Sequence, residues 1–223
     1  MKNLRRHLNH FIFICLTAVL LIGPGSVPQV QAFPSSAANG VQDSCGTENT
    51  SGKKILVVYE SKRGTTAASA QNIAQVFCNN GFQVDLACAR FVTDISAYDG
   101  VIIGTPIYFS KFLPGVMQFI DKHKTALSSK TNTLFIMSTL CDEGTGLPDK
   151  TMILNSFVNS VLEGYSEIDP VGEIGIFGGK YDFDDLYPVE LLAMTLEGFD
   201  PRPDYVKTAL VTVWAEEIMA SFE

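Results

Sequence analysis

The sequence predicts an α/β domain built on a parallel sheet. Five short apolar runs recur along the chain, and segments with helical spacing of their apolar residues separate them. The runs are short and mostly uninterrupted, which suits strands that helices cover on both faces. With 223 residues, of which 46% are hydrophobic and 18% charged, the chain is long and apolar enough to bury a substantial core.

The predicted elements lie in residues 53–223, which we expect to form a single domain. The apolar runs predict strands over residues 55–59, 82–88, 101–104, 133–138 and 172–177. A first helix ends near Gly81, a second begins near Pro114, a third covers residues 152–162, and a last one begins near Pro203. Helical spacing assigns the inward faces of the first and last helices to Ala70, Ile73, Ala74 and Phe77, and to Val211, Trp214, Ile218 and Phe222.

The first 52 residues differ in composition from the rest. Residues 1–32 run from a basic start through an apolar stretch over 11–22 to a small-residue cleavage pattern that ends at Ala32. This order is typical of a secretory signal peptide, so we expect an exported protein that works in the periplasm or elsewhere outside the cytoplasm. The alternative is an uncleaved leader, which would then be the protein's attachment to a membrane. Residues 33–52 are rich in small and polar residues and predict a flexible linker.

The charge of the chain excludes one class of partner. The formal net charge is −8, and because Lys2, Arg5 and Arg6 contribute +3 within residues 1–32, residues 33–223 carry −11. Nucleic-acid binding needs clustered Lys and Arg, so we expect no nucleic-acid partner. An acidic body suits a redox carrier or enzyme that docks on basic partners.

Three unusual loops follow predicted strands, at the edge of the sheet where open parallel sheets bind ligands. The first offers hydroxyls and a flexible glycine before a helix N-terminus, which suits a phosphate, although an ordinary capped turn has a similar composition. The second adds a fixed turn and two aromatic rings for stacking. A phosphate at one end and a flat ring at the other describe the expected ligand. The candidate residues are Ser61, Arg63, Gly64, Thr65 and Thr66 in the first loop, Thr105, Pro106, Ile107, Tyr108 and Phe109 in the second, and Thr139, Cys141, Asp142 and Gly144 in the third.

Other kinds of site find no support in the sequence. It has no catalytic triad pattern, no His cluster with metal spacing and no Gly-x-Gly-x-x-Gly, so neither a metal nor a nicotinamide cofactor is expected. His123 is predicted to be a surface residue. Past residue 32, the four cysteines Cys45, Cys78, Cys88 and Cys141 allow three complete pairings, and we interpret Cys78 and Cys88 as small core residues.

Two of the loops carry the motifs of a known family. Ser61, Gly64 and Thr66 match its FMN-phosphate pattern Ser/Thr-x-x-Gly-x-Thr, and residues 104–108 match its signature Gly-Ser/Thr-Pro-Ile-Tyr. From Lys54 onward the chain resembles flavodoxin-fold proteins. It is most similar to the flavodoxin-domain family that includes menaquinone-dependent protoporphyrinogen oxidase. The resemblance implies a three-layer α/β flavodoxin-like fold with five parallel strands in the order 2-1-3-4-5.

The resemblance also implies a cofactor and a class of function. Non-covalent FMN would place its phosphate on the first loop and its ring against the second and third loops. The protein would then be an exported FMN-dependent oxidoreductase or electron-transfer protein that exchanges one or two electrons with a quinone or a porphyrin-like partner. One alternative is an electron shuttle that docks on a redox partner protein. Another is a binding module that keeps the fold without the cofactor.

Overall fold

The computed structural model describes residues 40–46, 51–141, 150–165, 168–180 and 204–223, and the single positions 186, 188, 191, 192 and 196. By its internal contacts the chain divides into two units. The larger comprises Ser35–Lys180 and Asp204–Glu223 and contains the whole described sheet. The smaller comprises Met1–Pro34 and Tyr181–Pro203, and among its described positions Leu192 and Leu196 are exposed. The predicted signal peptide lies outside the described residues.

A six-stranded sheet forms the centre of the larger unit. In chain order its strands are β1 Val41–Cys45, β2 Lys54–Tyr59, β3 Gln83–Cys88, β4 Gly100–Pro106, β5 Thr131–Ser138 and β6 Gly175–Gly178. They lie in the spatial order β1-β3-β2-β4-β5-β6. Strands β2 to β6 run parallel to one another, which confirms the five predicted strands and their predicted order.

The edge strand β1 falls within residues 33–52, so the prediction of a flexible linker is wrong for residues 41–45. This strand pairs antiparallel with β3, and its central residues Gln42, Asp43 and Ser44 are exposed. An edge strand is held by backbone hydrogen bonds, and with both faces wet it needs no apolar alternation, so its sequence resembles a linker. A disulfide between Cys45 and Cys78 fixes its end to the first helix.

The helices of the described chain begin and end close to the predicted positions. They are α1 Thr65–Asn79, α2 Pro114–Leu127 and α4 Thr208–Met219, and a short 3₁₀ turn covers Ala89–Phe91. Segment α3 is α-helical over Lys150–Ile153 and Asn159–Leu162, with a π-helical turn over Leu154–Val158 between them.

Two boundaries differ from the prediction by three residues or more. Helix α4 begins at Thr208 and not near Pro203, because Asp204 is still extended and pairs with Lys180 across an antiparallel bridge. Strand β6 begins at Gly175 and not at 172, because Gly172 adopts a φ of +68°, which a strand cannot accommodate.

Helices cover both faces of the sheet and so form the predicted three layers. On one face, Phe77 of α1 and Trp214 of α4 join a buried cluster that includes Val57 of β2. Since side chains alternate along a strand, Val58 faces the other side, where α2 buries Phe119. Both faces of β2 are therefore buried, which explains why its sequence is apolar without interruption.

Candidate functional site

The carboxyl ends of the parallel strands bring the predicted loops to one edge of the sheet. Tyr59 at the end of β2 lies beside Gly104 of β4, and Pro106 lies beside Met137 of β5. Ser138 is in turn paired with Gly178 of β6. The loops after these four strands are thus neighbours, although they are up to about 120 residues apart in the chain.

The first loop ends in a glycine whose backbone is open to solvent. Gly64 directly precedes α1, has a φ of +85°, and a Cβ added to it would meet no atom within 4 Å. Its N–H donates to the Ser61 hydroxyl oxygen at 3.0 Å. Among the described residues no side chain caps α1, so the N–H groups of its first turn have no side-chain acceptor there. Together with the cationic Lys62 and Arg63, this arrangement fits a phosphate.

The two threonines that follow differ in exposure. Thr65 is half-buried and its hydroxyl donates to the Lys180 carbonyl at 3.4 Å, which connects the first loop to the segment after β6. Thr66 is only 2% exposed and lies on the inward side of the first turn. The roles of Ser61, Arg63, Gly64 and both threonines in holding a phosphate stay predictions.

The second loop is a tight hairpin with an aromatic tip. Tyr108 and Lys111 exchange two backbone hydrogen bonds of 2.9 and 3.1 Å around Phe109 and Ser110. Both tip residues have positive φ, 46° and 61°, as in a type I′ turn that normally carries Asn and Gly. The Phe109 ring is 41% exposed and packs edge to face on the Tyr108 ring, with centroids 4.7 Å apart. A strained, exposed aromatic is typical of a contact site.

The base of this hairpin is closed by buried polar contacts. Thr105 is fully buried, and its hydroxyl oxygen accepts the Leu113 N–H at 3.2 Å. The Ile107 N–H donates to the Met137 carbonyl at 2.9 Å and extends the pairing with β5. Thr105 therefore holds the loop closed from inside, and its predicted contact with a cofactor stays a prediction. Pro106, Ile107, Tyr108 and Phe109 reach the edge.

The first two loops touch each other through Lys62 and Tyr108. The Lys62 ammonium contacts the Tyr108 hydroxyl and lies 3.6 Å from the centroid of its ring. Such a cation on an aromatic face is attractive. The loop that suits an anion and the loop that offers flat apolar surface thus form one continuous edge.

The third loop is described only at its start. Ser138 anchors it, since its hydroxyl accepts the Leu140 N–H at 3.1 Å and its carbonyl accepts the Cys141 N–H at 3.2 Å. Thr139 is half-buried, and Cys141 is buried and has no disulfide. The predicted site residues Asp142 and Gly144 lie outside the described residues.

Three charged residues at this edge, Glu60, Lys62 and Lys180, are not among the predicted site residues, and for Glu60 the signal in the sequence was a charge at the end of an apolar run. Two residues away from this edge were misjudged. His123 is buried and not on the surface, because its face of α2 packs against Val92, whose carbonyl lies 3.4 Å from Nε2. Cys78 is a disulfide partner of Cys45 and not a plain core residue.

Groups around the edge differ in their protonation. Burial raises the pKa of Tyr59 and also that of the Cys88 thiol, so both stay neutral at pH 7. The ammonium of Lys180, 2.7 Å from the Asp204 carboxylate, lowers the pKa of that carboxyl. In the part of the chain that the structure describes, no group of three or more His, Cys, Asp or Glu could hold a metal ion. No helix in this part is long and apolar enough to cross a membrane.

Comparison with known proteins identifies the family. The model of a family described as flavodoxin domain matches residues 56–195, which is more than half of the chain. The chain therefore belongs to the flavodoxin domain family. Membership indicates a flavin-binding electron-transfer protein. No curated protein sequence matches the chain.

Solved structures of similar fold have low sequence identity. A short-chain flavodoxin associated with a bacterial microcompartment has a TM-score of 0.50 at 14% identity, over 77% of this chain and 99% of that one. Oxidised flavodoxin 2 from Bacillus cereus has a TM-score of 0.49 at 18% identity, over 75% and 99%. Rubredoxin oxygen:oxidoreductase from Desulfovibrio gigas has a TM-score of 0.49 at 17% identity, over 76% of this chain. The chain spans 36% of that last protein's length.

Proposed function

We propose that this protein is a redox protein that binds FMN across the first two loops. The contact between Lys62 and Tyr108 carries the proposal, because it joins a loop that suits a phosphate to a loop that offers flat aromatic surface. Bound FMN supplies exchange of one or two electrons, and the protein supplies binding, orientation and electrostatics.

Each part of the edge has a distinct task in this proposal. The N–H groups of the first turn of α1 donate to the phosphate, and the open backbone at Gly64 lets the phosphate approach closely. Lys62 and Arg63 add positive charge. Tyr108 and Phe109 contact the ring and exclude water from it, and the segment that begins at Thr139 borders the same space.

A pair of glycine variants tests the phosphate site. Gly64→Ala places a methyl group where the phosphate would approach, so FMN affinity falls by roughly tenfold or more for a lost oxyanion contact. Gly52→Ala is the matched control: Gly52 also has a positive φ of 71° and open space around it, but it precedes the amino end of β2. Titration of apoprotein with FMN, followed by flavin fluorescence, measures both. A colourless wild-type protein that binds no added FMN would favour the cofactor-free binding module.

The partner is proposed from the resemblance to the family that includes protoporphyrinogen oxidase. A quinone or a porphyrin-like two-electron donor would meet the exposed Phe109 at the hairpin tip. An electron shuttle would instead dock on a protein. If the protein converts a soluble quinone in steady-state turnover, the result supports the enzyme. If the bound flavin is reduced once and no turnover follows, the result supports the shuttle.

We further propose that the protein works outside the cytoplasm. The leader-like residues 1–32 support export, and the disulfide between Cys45 and Cys78 adds independent support, since disulfides persist in oxidising compartments. N-terminal sequencing of the protein from a cell-envelope extract tests this. A mature start at Phe33 is expected, and an intact leader in the cytoplasmic fraction would refute it.

A further inference from the structure

Glu60 is a buried carboxylate at the point where β2 gives way to the first loop. It is 2% exposed, which is rare for an acidic residue unless it is paired. Its Oε2 accepts the N–H of Gly115 at 2.6 Å, and its Oε1 is paired with the guanidinium of Arg90. Its own N–H donates to the Gly104 carbonyl at 3.1 Å. One residue thus ties β2 to β4, to α2 and to the turn after β3.

The contact with Gly115 requires a glycine there. A Cβ at position 115 would lie 2.5 Å from Oε2 of Glu60, although a glycine in a helix is otherwise unfavourable. The glycine lowers the intrinsic stability of the helix, but it lets the carboxylate reach the Gly115 N–H in the first turn. The N-terminus of α2 is therefore occupied by the protein's own anion, whereas that of α1 has no capping side chain among the described residues.

The Glu60 carboxylate and its contacts with Gly115 and Arg90 are called the anchor below. The anchor lies between the two loops of the proposed FMN site. The first loop begins at Ser61, directly after Glu60. The second loop ends at Leu113, whose N–H is held by Thr105, and α2 follows at Pro114. The Glu60 carboxylate thus links the start of one loop to the end of the other.

We propose that Glu60 is a positioning residue that sets the spacing between the first and second loops, so that a ligand spanning both is bound more tightly than a ligand held by one. The inference rests on the proposed FMN site. A ligand that engages two correctly spaced sites gains affinity from the second contact, and this gain is lost when the spacing is wrong.

Two variants of the full-length protein break the anchor in different ways. Glu60→Ala removes the carboxylate. Gly115→Ala removes no side chain but pushes the carboxylate off the helix, so it stays informative if Glu60→Ala does not fold. Asp85→Ala is the control, because Asp85 is also a buried, paired carboxylate, held by Ser44, Lys54 and Tyr98 away from this edge.

The readout is the dissociation constant for FMN divided by that for riboflavin, which is the same flavin without the phosphate. Both are measured by flavin fluorescence at a temperature where circular dichroism shows each variant folded. In both anchor variants FMN should bind about tenfold more weakly and riboflavin less than about twofold more weakly. In Asp85→Ala the ratio should not change.

Two results would overturn the inference: an unchanged ratio in the anchor variants, whether neither ligand or both ligands lose affinity, or the same rise of the ratio in Asp85→Ala. The proposed function fails separately, if the wild-type protein does not bind FMN at all.

Discussion

Cys45 in the edge strand and Cys78 near the end of α1 are joined by a disulfide, with their Cα atoms 5.9 Å apart. The bond attaches β1 to the helix whose other end forms the proposed phosphate site. It closes a loop across a sequence separation of 33 residues, so it restricts the unfolded chain considerably.

Loss of this disulfide should lower stability. In Cys45→Ser/Cys78→Ser the free energy of unfolding should fall by about 4 kcal/mol, the amount expected for a loop of this length. Urea denaturation with and without reductant measures the loss. Reductant should lower the free energy of unfolding of the wild type by the same amount as the double substitution does, and it should leave that of the double variant unchanged. If reductant does not shift the wild type, the bond has no stabilising role.

The hydroxyl of Thr105 should be needed to close the second loop. Thr105→Val leaves the Leu113 N–H buried without its acceptor and should cost about 1–3 kcal/mol. Thr133→Val on the neighbouring strand is the control, because the fully buried Thr133 hydroxyl has no hydrogen-bond partner among the described residues. Thermal unfolding should show a loss for the first variant, and no loss or a gain for the second. Equal losses would contradict this role.

Two variants of the strained hairpin tip should affect stability and FMN affinity differently. Ser110→Gly relieves a positive φ and should stabilise the protein by about 1 kcal/mol, with FMN affinity unchanged. Phe109→Asn/Ser110→Gly suits a type I′ turn still better but removes the aromatic ring. This variant should be more stable still and should bind FMN more weakly. If it binds FMN as tightly as Ser110→Gly does, Phe109 does not contact the ring.

Stability should depend on pH through His123. Burial lowers its pKa, although the Val92 carbonyl 3.4 Å from Nε2 opposes the shift, and of the nearby charges Lys122 lowers the pKa and Asp94 raises it. Because the unfolded chain binds the proton more readily, the contribution is complete above about pH 6.5 and declines as pH falls from there toward the folded pKa. His123→Phe should flatten this decline in urea denaturation. No other histidine lies in residues 33–223, so an unchanged decline would refute the assignment.

The sequence predicted the fold well, and it predicted loops that the structure brings together at one edge of the sheet. Apolar runs such as residues 55–59 are buried on both faces of the sheet. A strand buried in this way consists of apolar residues without interruption, so its sequence alone predicts it. Ser61 to Thr66 and the hairpin at Tyr108 were found because turns and helix starts have local signals. Thr105 was assigned to the cofactor through the family motif, and that role stays a prediction; the sequence did not show that its hydroxyl also accepts the Leu113 N–H.

By itself, then, the sequence determined the five parallel strands and the loops at their carboxyl ends, since these follow from local periodicity and from the rules of parallel sheets, and its resemblance to a known family implied the order of the strands. Only the tertiary structure decided that Val41–Cys45 joins the sheet, that Cys45 pairs with Cys78, that His123 is buried and that Glu60 ties the two loops together. These features depend on contacts between residues 31 to 55 positions apart, and no local pattern of side chains specifies such partners.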